Sequence, residues 1–233
     1  MTTPVSPAAA GTLPEARDGT LLLTEVYASV QGESTFAGVP FVLVRTARCN
    51  LRCVWCDSAF TFRGGDRRPV DDVLAEVASY GLAHVLVTGG EPLLQPGALR
   101  LMERLCDAGQ TVLVETGGSL DIAAVDPRVR RIVDVKCPGS GEAGRNRWEN
   151  LRELRQTDEV KLVVADRADY EWARDLVRRE RLHERCGAVL LSPVWGDPAL
   201  AAGLAEWLVA DRLPARLNLQ LHKVLWPADE RRR

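Results

Sequence analysis

Histidine is scarce in this sequence: His84, His183 and His222 are the only three among 233 residues. A basic surplus is missing too, since 30 Lys and Arg stand against 32 Asp and Glu, a formal net charge of −2. That balance argues against a chain built to wrap nucleic acid, which needs clustered positive charge. No apolar run reaches the roughly 18 residues of a membrane span, and no secretory signal opens the chain. With six cysteines and no such signal, the expected setting is the cytoplasm, where thiols stay reduced. The length suits one domain with a full core.

Three of the six cysteines, Cys49, Cys53 and Cys56, stand at C-x3-C-x2-C directly after the apolar run Phe41-Val42-Leu43-Val44. Such close spacing makes a poor disulfide framework. Structural zinc would want a fourth Cys or His nearby, and the three histidines do not supply a second pair. A zinc-stabilised binding module is the reading from a different class. A four-iron cluster needs a thiolate on each iron it anchors, and one short loop can wrap it. Three thiolates leave one iron open to the amino and carboxylate groups of a small molecule. The scattered Cys106, Cys137 and Cys186 read as small buried hydrophobes.

Residues 1–19 are rich in Pro, Ala and Thr and read as a disordered leader. A strand is expected over 21–27, then the polar turn Ser29-Val30-Gln31-Gly32-Glu33-Ser34 as a candidate binding loop, then a strand over 41–46. Beyond the cysteines, helices are expected over 70–80, 96–108, 146–156, 169–183 and 198–210. Strands are expected over 84–88, 111–115, 131–135, 159–164, 188–191 and 215–220. This alternation predicts right-handed βαβ units and a parallel sheet, with the loops that follow strands gathered on one rim. About six or seven of these strands are expected to form the barrel, too few to close an eight-stranded one. The expected fold is therefore α/β, an incomplete TIM-like barrel over a single domain at 20–227 with a charged tail at 228–233. An open doubly wound sheet is the competing architecture.

The cysteine loop with Trp55 before the third cysteine, and Gly89-Gly90-Glu91-Pro92 after a strand, resemble radical S-adenosylmethionine (SAM) enzymes. Further motifs narrow the resemblance to the 7-carboxy-7-deazaguanine synthase family over about residues 25–226. They are Ser29-Val30-Gln31-Gly32-Glu33, Arg45-Thr46, Asp57-Ser58-Ala59-Phe60, Glu115-Thr116-Gly117-Gly118, Asp134-Val135-Lys136-Cys137-Pro138 and Gln220-Leu221-His222-Lys223. The resemblance implies an incomplete barrel, a homodimer, and a flavodoxin or ferredoxin as reductant. It implies a ring contraction of 6-carboxy-5,6,7,8-tetrahydropterin with loss of ammonia, started by a radical from SAM on a [4Fe-4S] cluster. A glycyl-radical-enzyme activase would need only the cluster and SAM motifs, and is the runner-up.

By the same resemblance, Cys49, Cys53 and Cys56 hold the cluster. SAM meets Trp55, Gly89, Gly90, Glu91, Thr116, Lys136, Ser192 and Pro193. The pterin meets Val30, Gln31, Gly32, Glu33, Arg45, Thr88 and His222, with Arg45 opposite its carboxylate because a guanidinium fork matches that group. Ser58 would help hold Mg2+, a hard ion that takes oxygen ligands. The sequence departs from shorter-tailed relatives by Pro227-Ala228-Asp229-Glu230 and three arginines, and from others by its short first cysteine spacing.

Overall fold

The protein is described here from a computed structural model covering residues 19–227. The leader and the tail after Pro227 lie outside the described residues, apart from Gly19. Strand β1 (Thr20–Val30) pairs antiparallel with both β2 (Pro40–Thr46) and the short β3 (Asp66–Pro69). From β2 onward every pairing is parallel, through β4 (His84–Gly89), β5 (Thr111–Thr116), β6 (Arg130–Asp134), β7 (Glu159–Val164), β8 (Ala188–Pro193) and β9 (Arg216–Leu217). The nine strands lie in the order β3-β1-β2-β4-β5-β6-β7-β8-β9. Among the described residues β9 does not pair back to β3, so the barrel stays open.

Strand periodicity explains both faces of this sheet, because successive side chains point to opposite sides. Outward residues Val42, Val44, Val85, Val87, Val112 and Val114 pack under α1 (Val70–Ser79) and α2 (Pro96–Asp107). Outward residues of β7 and β8 pack under α3 (Arg167–Glu180), α4 (Leu182–Arg185) and α5 (Pro198–Ala210). The inward set begins with an apolar layer of Leu43, Leu86, Leu113 and Ile132. Two residues further along each strand stand Arg45, Thr88, Glu115 and Asp134, all lining one cavity. The chain thus builds a dry floor and then a polar layer above it. No helix among the described residues is long and apolar enough to cross a membrane.

At the end of the sheet away from the cavity mouth, Asp158 is fully buried and binds two arginines. Its carboxylate accepts from Arg131 N and Nε at 3.1 Å each and from Arg155 N at 2.8 Å. Arg131 Nη1 also donates to Ile122 O at 3.0 Å, and Arg155 to Pro127 O and Val129 O. Burial alone would push the Asp158 carboxyl up, but the bonds from Arg131 and Arg155 hold it below its ordinary value.

Several expectations change. The stretch 146–156 is not an α-helix: it holds one short 3-10 turn, Trp148–Arg152, and another, Ala143–Arg145, comes just before it. Its asparagines are engaged elsewhere: Asn146 bonds Lys136 N and O, and Asn150 Nδ2 bonds Gly118 O and Leu120 O. Such side-chain bonds to backbone compete with helix. The helix expected to reach His183 breaks at Arg181, which adopts a left-handed φ of 51°. The last strand shortens to two residues, and Leu221–Leu225 forms α6. The β1–β2 loop differs most. Because β1 runs against the others, this loop leaves from the opposite end of the sheet and folds inward. There Phe36 meets the rings of Phe41 and His84 at 5.9 and 6.1 Å, and Thr35 N donates to Glu159 at 3.2 Å.

Candidate active site

One cavity of about 710 Å³ opens among the C-terminal ends of the parallel strands, within the size range of small-molecule sites. Cys49, Cys53 and Cys56 all line it and are half-buried. Their loop is fastened at several points. Arg48 N donates to Thr61 O at 2.8 Å, Asn50 Nδ2 to Ser119 Oγ at 2.9 Å, Arg52 N to Glu142 Oε1 at 2.6 Å, and Val54 N to Ser140 O at 3.1 Å. Burial pushes all three thiols up, with Lys136 opposing it. A bound metal charge reverses this, since a coordinating thiol is deprotonated outright. Among the described residues no three Cys, His, Asp or Glu side chains form a single-ion site. Three soft donors spread around one cavity instead suit a larger iron–sulfur body, so these residues fit a cluster. Cys137 and Cys186 are buried with their thiols pushed up, Cys186 to about 11, and Cys106 packs against the first core.

Gly89 and Gly90 are required by a close approach between loops. Gly89 has φ of 140°, and a Cβ there would stand 2.2 Å from Thr46 O. A Cβ on Gly90 would meet Arg48 O at 2.0 Å and Cys49 Cβ at 3.1 Å. The turn after β4 therefore lies directly on the cysteine loop, and Glu91 N donates to Arg48 O at 2.7 Å. The Glu91 side chain turns away from the cavity and is fully buried. It accepts from Leu93 N at 3.0 Å, Thr116 Oγ1 at 2.9 Å and Gly117 N at 2.7 Å. Burial pushes its carboxyl up against those bonds. Glu91, expected beside SAM, thus forms a brace joining two cavity loops.

The remaining wall is densely charged. Arg45 Nε donates to Glu25 Oε1 at 2.9 Å, and its Nη2 to Tyr27 Oη at 3.1 Å. Lys136 Nζ donates to Asp134 Oδ2 at 2.8 Å. Lys161 Nζ donates to Glu33 Oε2 at 3.0 Å and lies 4.0 Å from Asp134. Thr88 Oγ1 donates to Glu115 Oε2 at 2.9 Å, and burial pushes the Glu115 carboxyl up. The C-terminal segment closes the ring. Gln220 Nε2 donates to Glu33 Oε1 at 2.9 Å and to Asp57 Oδ2 at 3.0 Å, and Lys223 Nζ donates to Asp57 at 2.7 Å. Leu221 N donates to Gly32 O at 2.8 Å, and the His222 ring sits where a Gly32 side chain would stand. Burial pushes the His222 imidazole down, which favours the neutral ring.

Apart from Glu91, every residue expected at the site lines this one cavity: Val30, Gln31, Gly32, Glu33, Arg45, Cys49, Cys53, Trp55, Cys56, Ser58, Thr88, Gly89, Gly90, Thr116, Lys136, Ser192, Pro193 and His222. Gln31 Nε2 is buried and has no partner among the described residues, a donor left for a ligand. Sequence reasoning passed over Glu25, Tyr27 and Lys161, and named Glu115 only within a motif, with no contact assigned to it. Two of them carried a signal: Glu115 is the one charge in Thr-Val-Leu-Val-Glu-Thr, and Lys161 interrupts the apolar run of Glu-Val-Lys-Leu-Val-Val. In a strand covered by helices outside, such a residue must face inward.

An open parallel barrel with a three-thiol loop against a glycine turn defines the radical SAM class. A family model described as the Radical SAM superfamily matches residues 43–138. The chain is 46% identical over 219 residues to the 7-carboxy-7-deazaguanine synthase of Koribacter versatilis, covering 88% of this chain and 96% of that protein. It is 42% identical to the synthase of Chlorobaculum tepidum, covering 91% and 96%. The crystal structure of QueE from Escherichia coli superposes with a TM-score of 0.71 at 23% identity, covering 86% of this chain and 94% of that one, a likeness of fold. The chain belongs to the 7-carboxy-7-deazaguanine synthase family.

Proposed function

We propose that this enzyme converts 6-carboxy-5,6,7,8-tetrahydropterin to 7-carboxy-7-deazaguanine with release of ammonia. The observation that carries this reading is the single cavity, in which three cluster-type thiols face an Arg and a Glu suited to an anionic, N–H-rich heterocycle. Cys49, Cys53 and Cys56 would hold a [4Fe-4S] cluster, with SAM against Trp55, Gly89, Gly90, Thr116, Lys136, Ser192 and Pro193. When bound, the reduced cluster and SAM supply a radical able to take a hydrogen atom from the substrate. The chain's own residues bind, orient and keep water out. Arg45 uses Nε and one N–H of Nη2 on Glu25 and Tyr27, and its other N–H groups are available to the pterin carboxylate. Glu33, held ionised, accepts from the N–H edge of the ring, Gln31 Nε2 donates, and Val30, Gly32, Thr88 and His222 complete the contact. The leucine and isoleucine floor keeps the chemistry dry. An activase acting on a protein has no use for this buried heterocycle-sized recess.

The test is an anaerobic assay with the carboxytetrahydropterin, SAM and a reductant, following ammonia and the deazaguanine product. Turnover is expected in the wild type. In Arg45→Lys, KM for the pterin should rise about tenfold or more while SAM affinity holds, because lysine keeps charge but loses the fork. No product from the fully reconstituted wild type would overturn the reading.

Mg2+ is assigned to Ser58. Its hydroxyl lines the cavity and donates to Asp57 Oδ1 at 3.0 Å, leaving oxygen lone pairs for a cation. Asp57 itself is neutralised by Lys223, so the ion would rest on the hydroxyl, waters and substrate oxygens. Ser58→Ala should lose most Mg2+ stimulation while SAM binding persists, and undiminished stimulation would sink the assignment. A flavodoxin or ferredoxin would reduce the cluster, in the cytoplasm where thiols survive. A homodimer fits the exposed Leu217, Leu219, Val224 and Leu225 at the β9 edge and α6, and a monomer mass in light scattering would exclude it.

A further inference from the structure

We propose that Lys161, on β7, is the positioning residue that sets which heterocycle the cavity accepts, acting through Glu33. The proposal rests on the pterin reading and deepens it by naming what enforces the choice of ring edge.

The geometry is specific. Lys161 Nζ lies 3.0 Å from Glu33 Oε2, while Gln220 Nε2 lies 2.9 Å from Glu33 Oε1. One donor on each oxygen fixes the plane of the carboxylate. A carboxylate has about four lone-pair sites, so two remain. Two acceptors side by side match two adjacent N–H donors, the pattern of a 2-amino pyrimidinone edge. They repel an edge that presents a carbonyl oxygen instead. Lys161 is in turn steadied by Asp134, 4.0 Å away, and Asp134 binds Lys136. Both side chains of the Lys161–Glu33 pair are nearly buried, 12% and 13% exposed, so bulk water does little to hold Glu33 in place of Lys161.

Charge follows the same arrangement. Burial works against ionising Glu33, and Lys161 with the Gln220 bond outweighs it. Burial also works against Lys161, and Glu33, Glu115 and Asp134 together hold its pKa well above the ordinary value. The other charged groups around this pair are Arg45 on β2, Asp57 on the cysteine loop, and His222 and Lys223 in the C-terminal segment. Without Lys161, burial, Asp57 and Glu115 would push Glu33 upward. A protonated Glu33 offers a donor where the ring edge needs an acceptor.

The experiment compares 6-carboxypterin with its 2-oxo counterpart, 6-carboxylumazine, by fluorescence titration of the full-length protein. Wild type should prefer the pterin by about tenfold or more at neutral pH, the scale of a charge-assisted bond, and keep that preference as pH falls. Lys161→Gln should collapse the preference, most strongly at the lower pH, and Lys161→Arg should restore most of it. In a Glu33→Gln background, Lys161→Gln should add nothing, since both act at one group. Preference unchanged in Lys161→Gln, or equal losses in both backgrounds, would overturn the proposal. A ligand-free arm follows the Glu33 carboxyl by 13C NMR, assigned by Glu33→Gln. Its midpoint should rise in Lys161→Gln and fall back in Lys161→Arg, and an unmoved midpoint overturns the proposal whatever binds. If wild type binds neither heterocycle yet the Glu33 midpoint moves as stated, the pterin reading fails and the positioning role stands.

Discussion

Cys49→Ala, Cys53→Ala and Cys56→Ala are each expected to leave a colourless, folded protein without SAM cleavage or product. Each thiol would be one of three donors, and an iron–sulfur body held by two thiolates from a single loop is poorly anchored. Even outer-shell changes at metal centres cost about 10–100-fold in affinity or activity, so loss of a direct ligand should reduce activity below about one-hundredth. The loop itself should survive, since its fastenings to Thr61, Ser119, Glu142 and Ser140 use backbone atoms and the side chain of Asn50. The control set is Cys106→Ala, Cys137→Ala and Cys186→Ala. These should keep the brown colour and cluster absorbance after anaerobic reconstitution. Cys137→Ala is the sharpest of them, because Cys137 borders the cavity yet belongs to the second core. Cluster loss there equal to that in Cys49→Ala would refute the ligand assignment.

The second large effect lies at the far end of the sheet. Asp158→Ala is expected to destabilise the fold by about 3–5 kcal/mol, the cost of stranding a buried charge. Arg131 is only 3% exposed and would lose its counter-ion, and Arg155 would lose its anchor at the start of β7. At this size about 2–4 °C of melting temperature goes with each kcal/mol, so a fall on the order of 10 °C should appear in a thermal melt. The sign of the pH dependence follows from the depressed Asp158 carboxyl. Its contribution is present above the unfolded-state pKa and is lost as pH falls through the folded one. The gap between wild type and variant should therefore be widest at neutral pH and narrow in acid. A melt unchanged at neutral pH would mean that the arginines find other partners.

Much of this was legible in the sequence. The cysteine loop, the glycine turn and the strand–helix alternation each announce themselves locally, since spacing and periodicity suffice to read them. Helix 198–210 and strand 159–164 fall where their patterns put them. What stayed hidden depends on contacts between distant residues. Nothing local tells that Asn146 and Asn150 spend their side chains on the backbone of residues 118, 120 and 136, which removes a helix. Nothing local tells that the Glu91 carboxylate is buried behind the cavity wall, where it holds Thr116 and Gly117. The β1–β2 turn reads as an ordinary polar loop, and only the antiparallel course of β1 makes it the cavity floor's neighbour. Lys161 belongs to no motif, and its charge within an apolar run takes on meaning only once β7 is known to be covered by helix α3 on its other side.

The clasp on Glu33 also bears on when the protein becomes competent. Gln220 closes on that carboxylate from 187 positions further along the chain, and Lys223 reaches Asp57 from 166 positions further along. Synthesis runs from the N-terminus, and domains begin to fold as they emerge. The core under α1 and α2 can therefore form while the final segment is still being made. The recess cannot, because one bond on Glu33 and both cationic and amide bonds on Asp57 come from the last residues described. A nascent chain that has not yet reached Lys223 would hold its thiols in place beside an unfinished pocket, so synthesis through Gln220 and Lys223 is itself the step that switches recognition on.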